Sequence, residues 1–299
     1  MGIGGGGDVV GTLAAAGVAA AGGTPAVLGG LTWERRPIDP LPGARRLDEI
    51  TGVRVLHPAV ALAGPNAAGP GGFRFAEGRM AELLGEPTVL VDPNGGPAAI
   101  AAGLAHACAA LDADVVVLLD VGGDALAHGD EPGLASPLAD AVVLASAPAL
   151  AAAGVTVLGA VFGAGCDGEL TPAEVAARIA EVAAAGGALG DHELDAATLE
   201  RVAAAVEAVP TEASAMALRC ARGETGRATI REGRRTVPLT PAGGRVFFFD
   251  PEVAIASAAR LAAAVRGARD MEHAHAILLG LGVARTELRY ERDAAAAAG

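Results

Sequence analysis

Apolar positions along the chain alternate between two periods. Short runs at 24–28, 53–57, 87–91, 115–119 and 155–161 predict β-strands. The last three are nearly continuous in Val and Leu, the pattern of parallel strands covered on both faces. Segments 8–21, 75–84, 98–111, 137–153 and 172–185 lie between or beside them and carry helical spacing. Thr171-Pro172-Ala173-Glu174 is a helix start with Thr as N-cap, Pro at the first helical position and Glu closing a capping box, and Gly186-Gly187 ends that helix. Strands alternating with helices imply βαβ crossovers, and so an α/β fold with an open, doubly wound, Rossmann-like and mostly parallel sheet.

The last third is patterned differently. Segments 194–208 and 212–221 read as helices, 228–230 and 236–239 as a hairpin, and 245–249 as a strand. Helices at 253–265 and 271–281 and a short strand at 286–290 follow, with a frayed Ala-rich tail after Asp293. The expected organisation is therefore a Rossmann-like α/β domain at 1–190 and a smaller α+β portion at 191–299, either packed on the first or extending its sheet. Met1-Gly2-Ile3 leaves little room for a strand ahead of Gly4. Either that strand is very short or residues upstream of it are missing.

Composition narrows the chemistry. The 299 residues suffice for a large core, but with 6 Phe, 1 Trp and 1 Tyr that core must be built from Ala, Val and Leu. A formal net charge of −13 argues against nucleic-acid and anionic-membrane partners, which require clustered cations. No lysine occurs, which excludes Schiff-base chemistry, pyridoxal-phosphate attachment and a Walker-type phosphate loop. Cys108, Cys166 and Cys220 show no CxxC spacing, so no structural zinc site is expected. No apolar stretch is long enough to span a membrane, and the run at 13–21 lacks the basic flank of a signal peptide, so a cytoplasmic location is expected.

In an open parallel sheet, ligands bind outside the carboxyl ends of the strands. Five loops at such positions combine glycine with a charged residue: Gly4-Gly5-Gly6-Gly7-Asp8, then Gly29 to Arg35, Asp92 to Gly96, Asp120-Val121-Gly122-Gly123-Asp124, and Gly163 to Glu169. Gly4–Gly7 followed by Asp8 has the chemistry of an anion cradle at a helix N-terminus, although Asp8 can equally be the N-cap of that helix. Asp120 and Asp124 can hold a hydrated Mg2+, bond ribose hydroxyls or supply a general base, or they can simply close a loop onto Ser136-Pro137. His128 and Glu131 are candidate acid/base residues. Trp33, Glu34 and Arg35 offer a stacking surface and a guanidinium fork for phosphate or carboxylate, or else a hydrophobic plug beside an ion pair. Cys166 and Asp167 sit at a Gly-rich turn where backbone N–H groups can lower a thiol pKa. Thr211 and Glu212 open a helix whose free N–H groups can close over the site.

The strings Gly4-Gly-Gly-Gly-Asp-Val-Val-Gly11 and Gly30-Leu-Thr-Trp-Glu-Arg35 are joined by Asp39-Pro40 and Pro42-Gly43. With Asp120–Asp124, His128-Gly-Asp-Glu131, Ser136-Pro-Leu-Ala-Asp140, Gly165-Cys-Asp-Gly-Glu169 and Pro210-Thr-Glu-Ala-Ser214, this set resembles the prokaryotic "domain of unknown function 1152" family over nearly the whole chain. The family it resembles has a hydrophobic strand ahead of the glycines, which this chain lacks. The resemblance implies no established activity.

From the residues, the expected function is an enzyme of small-molecule metabolism that binds a nucleotide, nucleoside or sugar phosphate. Hydrolysis or group transfer is the expected reaction, with Mg2+ on Asp120 and Asp124 as candidate cofactor. Two alternatives remain: an NAD(P)-dependent oxidoreductase with the same glycines on the pyrophosphate, and a non-catalytic nucleotide-binding regulator. Homo-oligomerisation is left open.

Overall fold

The structure, a computed structural model, describes residues 1–298. Its strands are β1 (Gly29–Leu31), β2 (Thr51–His57), β3 (Val60–Ala68), β4 (Thr88–Val91), β5 (Val115–Val121), β6 (Thr156–Phe162), β7 (Ala188–Glu193), β8 (Gly226–Ile230), β9 (Arg235–Leu239) and β10 (Arg245–Phe249). Two four-stranded sheets run β1-β4-β3-β2 and β5-β6-β10-β7, and β8-β9 form a separate hairpin. Pairs β1–β4 and β5–β6 are parallel, whereas β3 and β10 run antiparallel to their neighbours.

Met1–Ile3 joins the two sheets. Ile3 N–H donates to Leu119 O at 3.0 Å and Leu119 N–H to Met1 O at 2.8 Å, while Gly2 N–H reaches Gly29 O at 2.8 Å on the other side. Gly2 pairs with Leu119 in parallel register. The strand ahead of the glycines is thus three residues wide and lies between β1 and β5. Residues 1–3 bridge the two sheets, in parallel register with β5 and hydrogen-bonded once to β1.

Helices cover both faces. Asp8–Ala21 packs with Ala76–Leu84, Ala196–Ala208 and Glu212–Ala221 on one side. Gly96–Leu111, Pro137–Leu144, Ala147–Ala152, Pro251–Ser257, Arg260–Val265 and Met271–Gly280 form a connected group on the other. The core on that second side is built of Leu, Val, Ile and Ala, with Trp33 and Phe249 among its few aromatic members.

Several elements depart from the sequence pattern, each for a physical reason. The strand expected at 24–28 forms instead at Gly29–Leu31. Glycine ordinarily weakens a strand, but here a Cβ on Gly29 would lie 2.7 Å from Val89 O and one on Gly30 2.0 Å from Glu77 Oε1, so close packing demands the residue that propensity disfavours. β3 carries Gly64 and Pro65 and leaves no run of alternation, yet Val60–Ala63 pair with β4 in the buried sheet. β2 consequently becomes an antiparallel edge strand rather than a central parallel one. The helix expected at 137–153 breaks into two around Ser146, as Pro148 has no N–H to continue the ladder. Helix 253–265 likewise resolves into Pro251–Ser257 and Arg260–Val265.

The strand expected at 286–290 is a correction: Glu287–Ala298 is helical and includes the tail expected to fray. Its buried stripe contains Glu287, Leu288 and Glu291, so two of the three inward residues are acids, which a hydropathy pattern places outside. β7 was not visible either, because all six of its residues are exposed. β7 and β10 extend the sheet beyond β6, so the last third of the chain contributes directly to it.

Candidate functional site

The loops at the carboxyl ends of the parallel strands converge on one group of acids. Gly4–Gly7 carries the chain from residues 1–3 into the helix that begins at Asp8. Gly4 N–H donates to Asp8 Oδ2 at 2.9 Å and Gly6 N–H to Trp33 O at 2.8 Å. A Cβ on Gly4 would lie 2.6 Å from Asp8 Oδ2 and 3.1 Å from the Asp140 carboxylate, so a side chain there would occupy the space the acids use. Gly5 has φ +80° and would place a Cβ 2.7 Å from Trp33 O, so the turn requires glycine twice over.

Asp120 lies near the end of β5. Its Oδ2 accepts from Gly123 N at 3.0 Å and Ala125 N at 2.9 Å across the Gly-Gly turn. Asp140 lies in the first turn of the helix Pro137–Leu144. One carboxylate oxygen from each of Asp8, Asp120 and Asp140 lies within 4.8 Å of the other two. A second group, Asp124, Asp167 and Glu169, meets the same 4.8 Å criterion.

These acids are buried: Asp120 is 1% exposed, Asp140 2%, Asp124 6% and Asp167 7%. Burial is the first cause of their altered acidity and mutual repulsion the second. Asp8 is raised to about 8 by burial and by the Asp120 charge. Asp120 is raised only to about 6, because the Ala125 and Gly123 N–H groups offset part of the burial and Glu169 repulsion. Burial raises Asp124, Asp140 and Asp167 well above the carboxylate range, and neighbouring acids add to it in each case. Two unit charges 4 Å apart repel by about 4 kcal/mol at an effective dielectric of 20, so the group cannot ionise fully without a compensating cation or shared protons. Asp140 Oδ1 and Asp167 Oδ1 are buried without a hydrogen-bond partner, a cost of about 1–3 kcal/mol each unless something else fills the role. Hard carboxylate oxygens in this number and spacing suit Mg2+ or Ca2+.

Beside the acids lies a bound cation of the chain itself. Arg35 donates to Gly4 O, stacks over the Trp33 ring at 4.7 Å, and pairs with Glu287 at 3.5 Å and Glu291 at 3.8 Å. Glu287 accepts from Ala139 N at 2.7 Å and Leu138 N at 3.1 Å, holding the N-terminus of the helix that carries Asp140. Glu291 accepts from Trp33 Nε1 at 3.0 Å and Gly43 N at 2.8 Å. The last helix is thereby tied to the glycine loop, the Trp33 segment and the Asp140 helix together.

Of the residues singled out in the sequence, Asp8, Asp120, Asp124 and Asp167 come together, with Gly4–Gly7 and Arg35 at their edge. Asp120 and Asp124 fall in separate three-acid groups rather than one. His128 and Glu131 fall with Asp130 in a third group meeting the same 4.8 Å criterion; His128 Nε2 is 2.8 Å from Glu181, and Glu131 accepts from His128 N and Gly129 N at 2.8 Å and pairs with Arg178 at 3.2 Å. These contacts stitch a loop to the helix Pro172–Ala184. Glu34 is buried against the start of the next helix, accepting from Ala76 N, and Trp33 is fully buried rather than open for stacking. Cys166 faces Cys220 inside an apolar cluster. Thr211 packs on Gly7, where a Cβ would meet the Thr211 side chain at 2.3 Å, while Glu212 turns outward to the Arg231 backbone at 2.8 Å.

Asp140, Glu169, Glu287 and Glu291 carry no role in the sequence reading. Glu169 accepts from Ala135 N and Ser136 N at 2.7 Å each and from the Ser136 hydroxyl, seating the Asp140 helix from its other side. A signal for Asp140 was present: it is the one charged residue in Pro137-Leu-Ala-Asp-Ala-Val-Val-Leu144, and every residue of that helix is buried. An acid inside an all-apolar helix has to be paired, protonated or ligating.

The chain belongs to the family described as "Protein of unknown function (DUF1152)", which matches residues 1–295. No curated protein and no solved structure matches it. No helix among the described residues is long and apolar enough to cross a membrane.

Proposed function

We propose that this protein is a metal-assisted enzyme acting on a small phosphate- or ribose-bearing molecule, a nucleotide, nucleoside or sugar phosphate, by hydrolysis or group transfer. The observation that carries the reading is the convergence of Asp8, Asp120 and Asp140 within 4.8 Å, with Asp140 Oδ1 buried and without a partner. A divalent cation there completes the coordination of Asp140 and offsets charges that otherwise repel. Mg2+ is the ion this set of hard carboxylate oxygens would suit, with positions left for phosphate oxygens of a ligand.

The strand order supports the same reading. In chain order the parallel strands are residues 1–3, β1, β4, β5 and β6, and in space they run third, second, first, fourth, fifth. That order agrees with five strands of the doubly wound 3-2-1-4-5-6 pattern, in which the winding would reverse between residues 1–3 and β5. Asp8 and Asp120 follow those two strands. Ligands of such sheets bind in the crevice at the reversal. Asp8, Asp120 and Asp140 would hold such a cation there, and it would supply Lewis-acid chemistry; Asp124 and Asp167, whose burial raises them well above the usual carboxylate range, are the carboxyl groups placed to hold a proton.

An NAD(P) enzyme is less favoured, for two reasons. The glycine loop is filled from within by Trp33, Thr211 and the carboxylates, leaving a pyrophosphate facing like charges. The acid after the second strand, where a ribose-binding carboxylate belongs, is Glu34, and it is committed to the Ala76 N–H.

The test is a thermal-shift matrix of Mg2+ and Mn2+ against nucleoside phosphates, sugar phosphates and inorganic phosphate. The proposal expects a cation-dependent rise in Tm, enlarged by at least one phosphate ligand in the presence of metal. Stabilisation by NAD(P) without metal favours the oxidoreductase instead.

A further inference from the structure

Cys166 and Cys220 stand outside the proposed chemistry yet beside it. Cys166 ends the turn after β6 and Cys220 lies in the last turn of the helix Glu212–Ala221. Their Sγ atoms are 3.8 Å apart, and both residues are buried, 0% and 3% exposed. A Cβ on Gly243 would lie 2.8 Å from the Cys220 sulfur and 3.0 Å from the Cys166 sulfur, so glycine there leaves the space that lets the two thiols meet. About 2 Å of approach separates them from the S–S bonding distance.

We infer that Cys166 and Cys220 are a modification site, an intramolecular disulfide formed by a hydroperoxide. The roles differ between the two sulfurs. Either sulfur can donate across the 3.8 Å contact, so access rather than acidity separates them. Cys220 lines a surface cleft of about 270 Å³, together with Thr225, Pro241 and Arg245, which gives a small oxidant a route to it. The Cys220 thiolate attacks the peroxide O–O bond, forming sulfenic acid and releasing the alcohol or water after protonation. The Cys166 sulfur then attacks that sulfenic sulfur, the S–S bond forms, and the hydroxyl leaves as water with the Cys166 proton. The peroxide is reduced and the two thiols are oxidised. The cross-link lands on the candidate site, because Cys166 precedes Asp167 and its turn is bonded to the acid–Gly–Gly–acid loop through Gly165 N to Gly122 O at 2.8 Å.

The full chain, treated with a small molar excess of hydrogen peroxide and then alkylated under denaturing conditions, tests this by peptide mass. Reduced protein takes three alkyl groups, one on each free cysteine. The oxidised chain is expected to take one, on Cys108, and to yield a Cys166–Cys220 cross-linked peptide that a reductant removes. Cys220→Ser is expected to take two alkyl groups before and after peroxide, on Cys108 and Cys166. Three alkylated cysteines after peroxide, or sulfinic and sulfonic masses at Cys166 or Cys220 in place of the cross-link, overturn the inference.

Discussion

The Asp8 and Asp120 carboxylates approach within 4.8 Å of each other although one follows the first three residues and the other closes β5. Nothing local holds them together; the parallel pairing of residues 1–3 with β5 does. Substituting Asp120 by Asn preserves an oxygen for the Gly123 and Ala125 N–H groups and removes the charge. The expected result is an unchanged far-UV spectrum with cation affinity lower by about tenfold or more, equivalent to about 1.4 kcal/mol. Unfolding of the variant under native conditions, in place of weakened binding, marks Asp120 as a purely structural group.

Asp140→Asn probes the same repulsion from another element. Asp140 accepts no hydrogen bond at its buried Oδ1 and faces Asp120 and Asp8. Without metal and at a pH above the raised pKa of Asp140, removing its charge relieves repulsion, and an amide can donate to its neighbours. Tm in chelator at that pH is expected to rise by about 1–2 °C, the shift that roughly 1 kcal/mol produces in a chain of this size, and the added stabilisation by Mn2+ to shrink. A fall in Tm contradicts the electrostatic account.

The metal-free protein should lose stability as pH rises. Asp8 and Asp120 hold their protons to about 8 and about 6 in the fold, whereas an unfolded Asp titrates near 4. Between those values the folded state binds more protons than the unfolded state, so unfolding free energy falls with increasing pH. The contribution is fully present below about pH 4 and lost through about pH 8. Urea midpoints in chelator are expected to drop across this window, and saturating Mg2+ to flatten the drop. A rise in midpoint over the same window refutes the raised pKa values.

Arg35→Met leaves Glu287 and Glu291 buried without their cation. Removing one partner of a buried pair costs about 3–5 kcal/mol. Chemical denaturation is expected to show a loss of that order, smaller if the acids protonate. A companion truncation before Glu287 is expected to release the Trp33 indole, read as a red shift in fluorescence. The reporter is unambiguous, since Trp33 is the only tryptophan.

Gly7 is required by contact rather than by a ligand. A Cβ there would sit 2.3 Å from Thr211 Cβ and 2.4 Å from its hydroxyl, so Gly7→Ala is expected to destabilise by about 1–3 kcal/mol. Adding Thr211→Ala opens the space, and a double-mutant cycle should recover more than half of the loss. Additive losses mean that the two residues do not meet.

How far the sequence revealed this arrangement depended on what each residue packs against. β4, β5 and β6 were plain in the Val and Leu runs because both of their faces are covered over much of their length. The Thr171 capping box forms as its residue types dictate, with Glu174 N–H on Thr171 Oγ1 at 3.2 Å and Thr171 N–H on Glu174 at 2.7 Å. β1 was displaced because its glycines are selected by long-range contacts with Val89 and Glu77, which no local pattern encodes. The acids at strand ends, Asp8, Asp120, Asp124 and Asp167, were visible by position. Those on helices, Asp140, Glu287 and Glu291, were not, since an acid on a helix ordinarily faces water. His128 and Glu131 drew notice for their chemistry, but their partners Arg178 and Glu181 arrive from a helix far along the chain.

Isothermal titration of Mn2+ into the metal-free protein near pH 8, repeated in two buffers of different ionisation enthalpy, addresses the central claim most directly. Binding of at least one cation is expected, with net proton release, because Asp8 and its neighbours give up protons as the ion enters. Absence of binding at millimolar Mn2+, or binding without proton release that persists in Asp140→Asn, would contradict a metal centre at Asp8, Asp120 and Asp140.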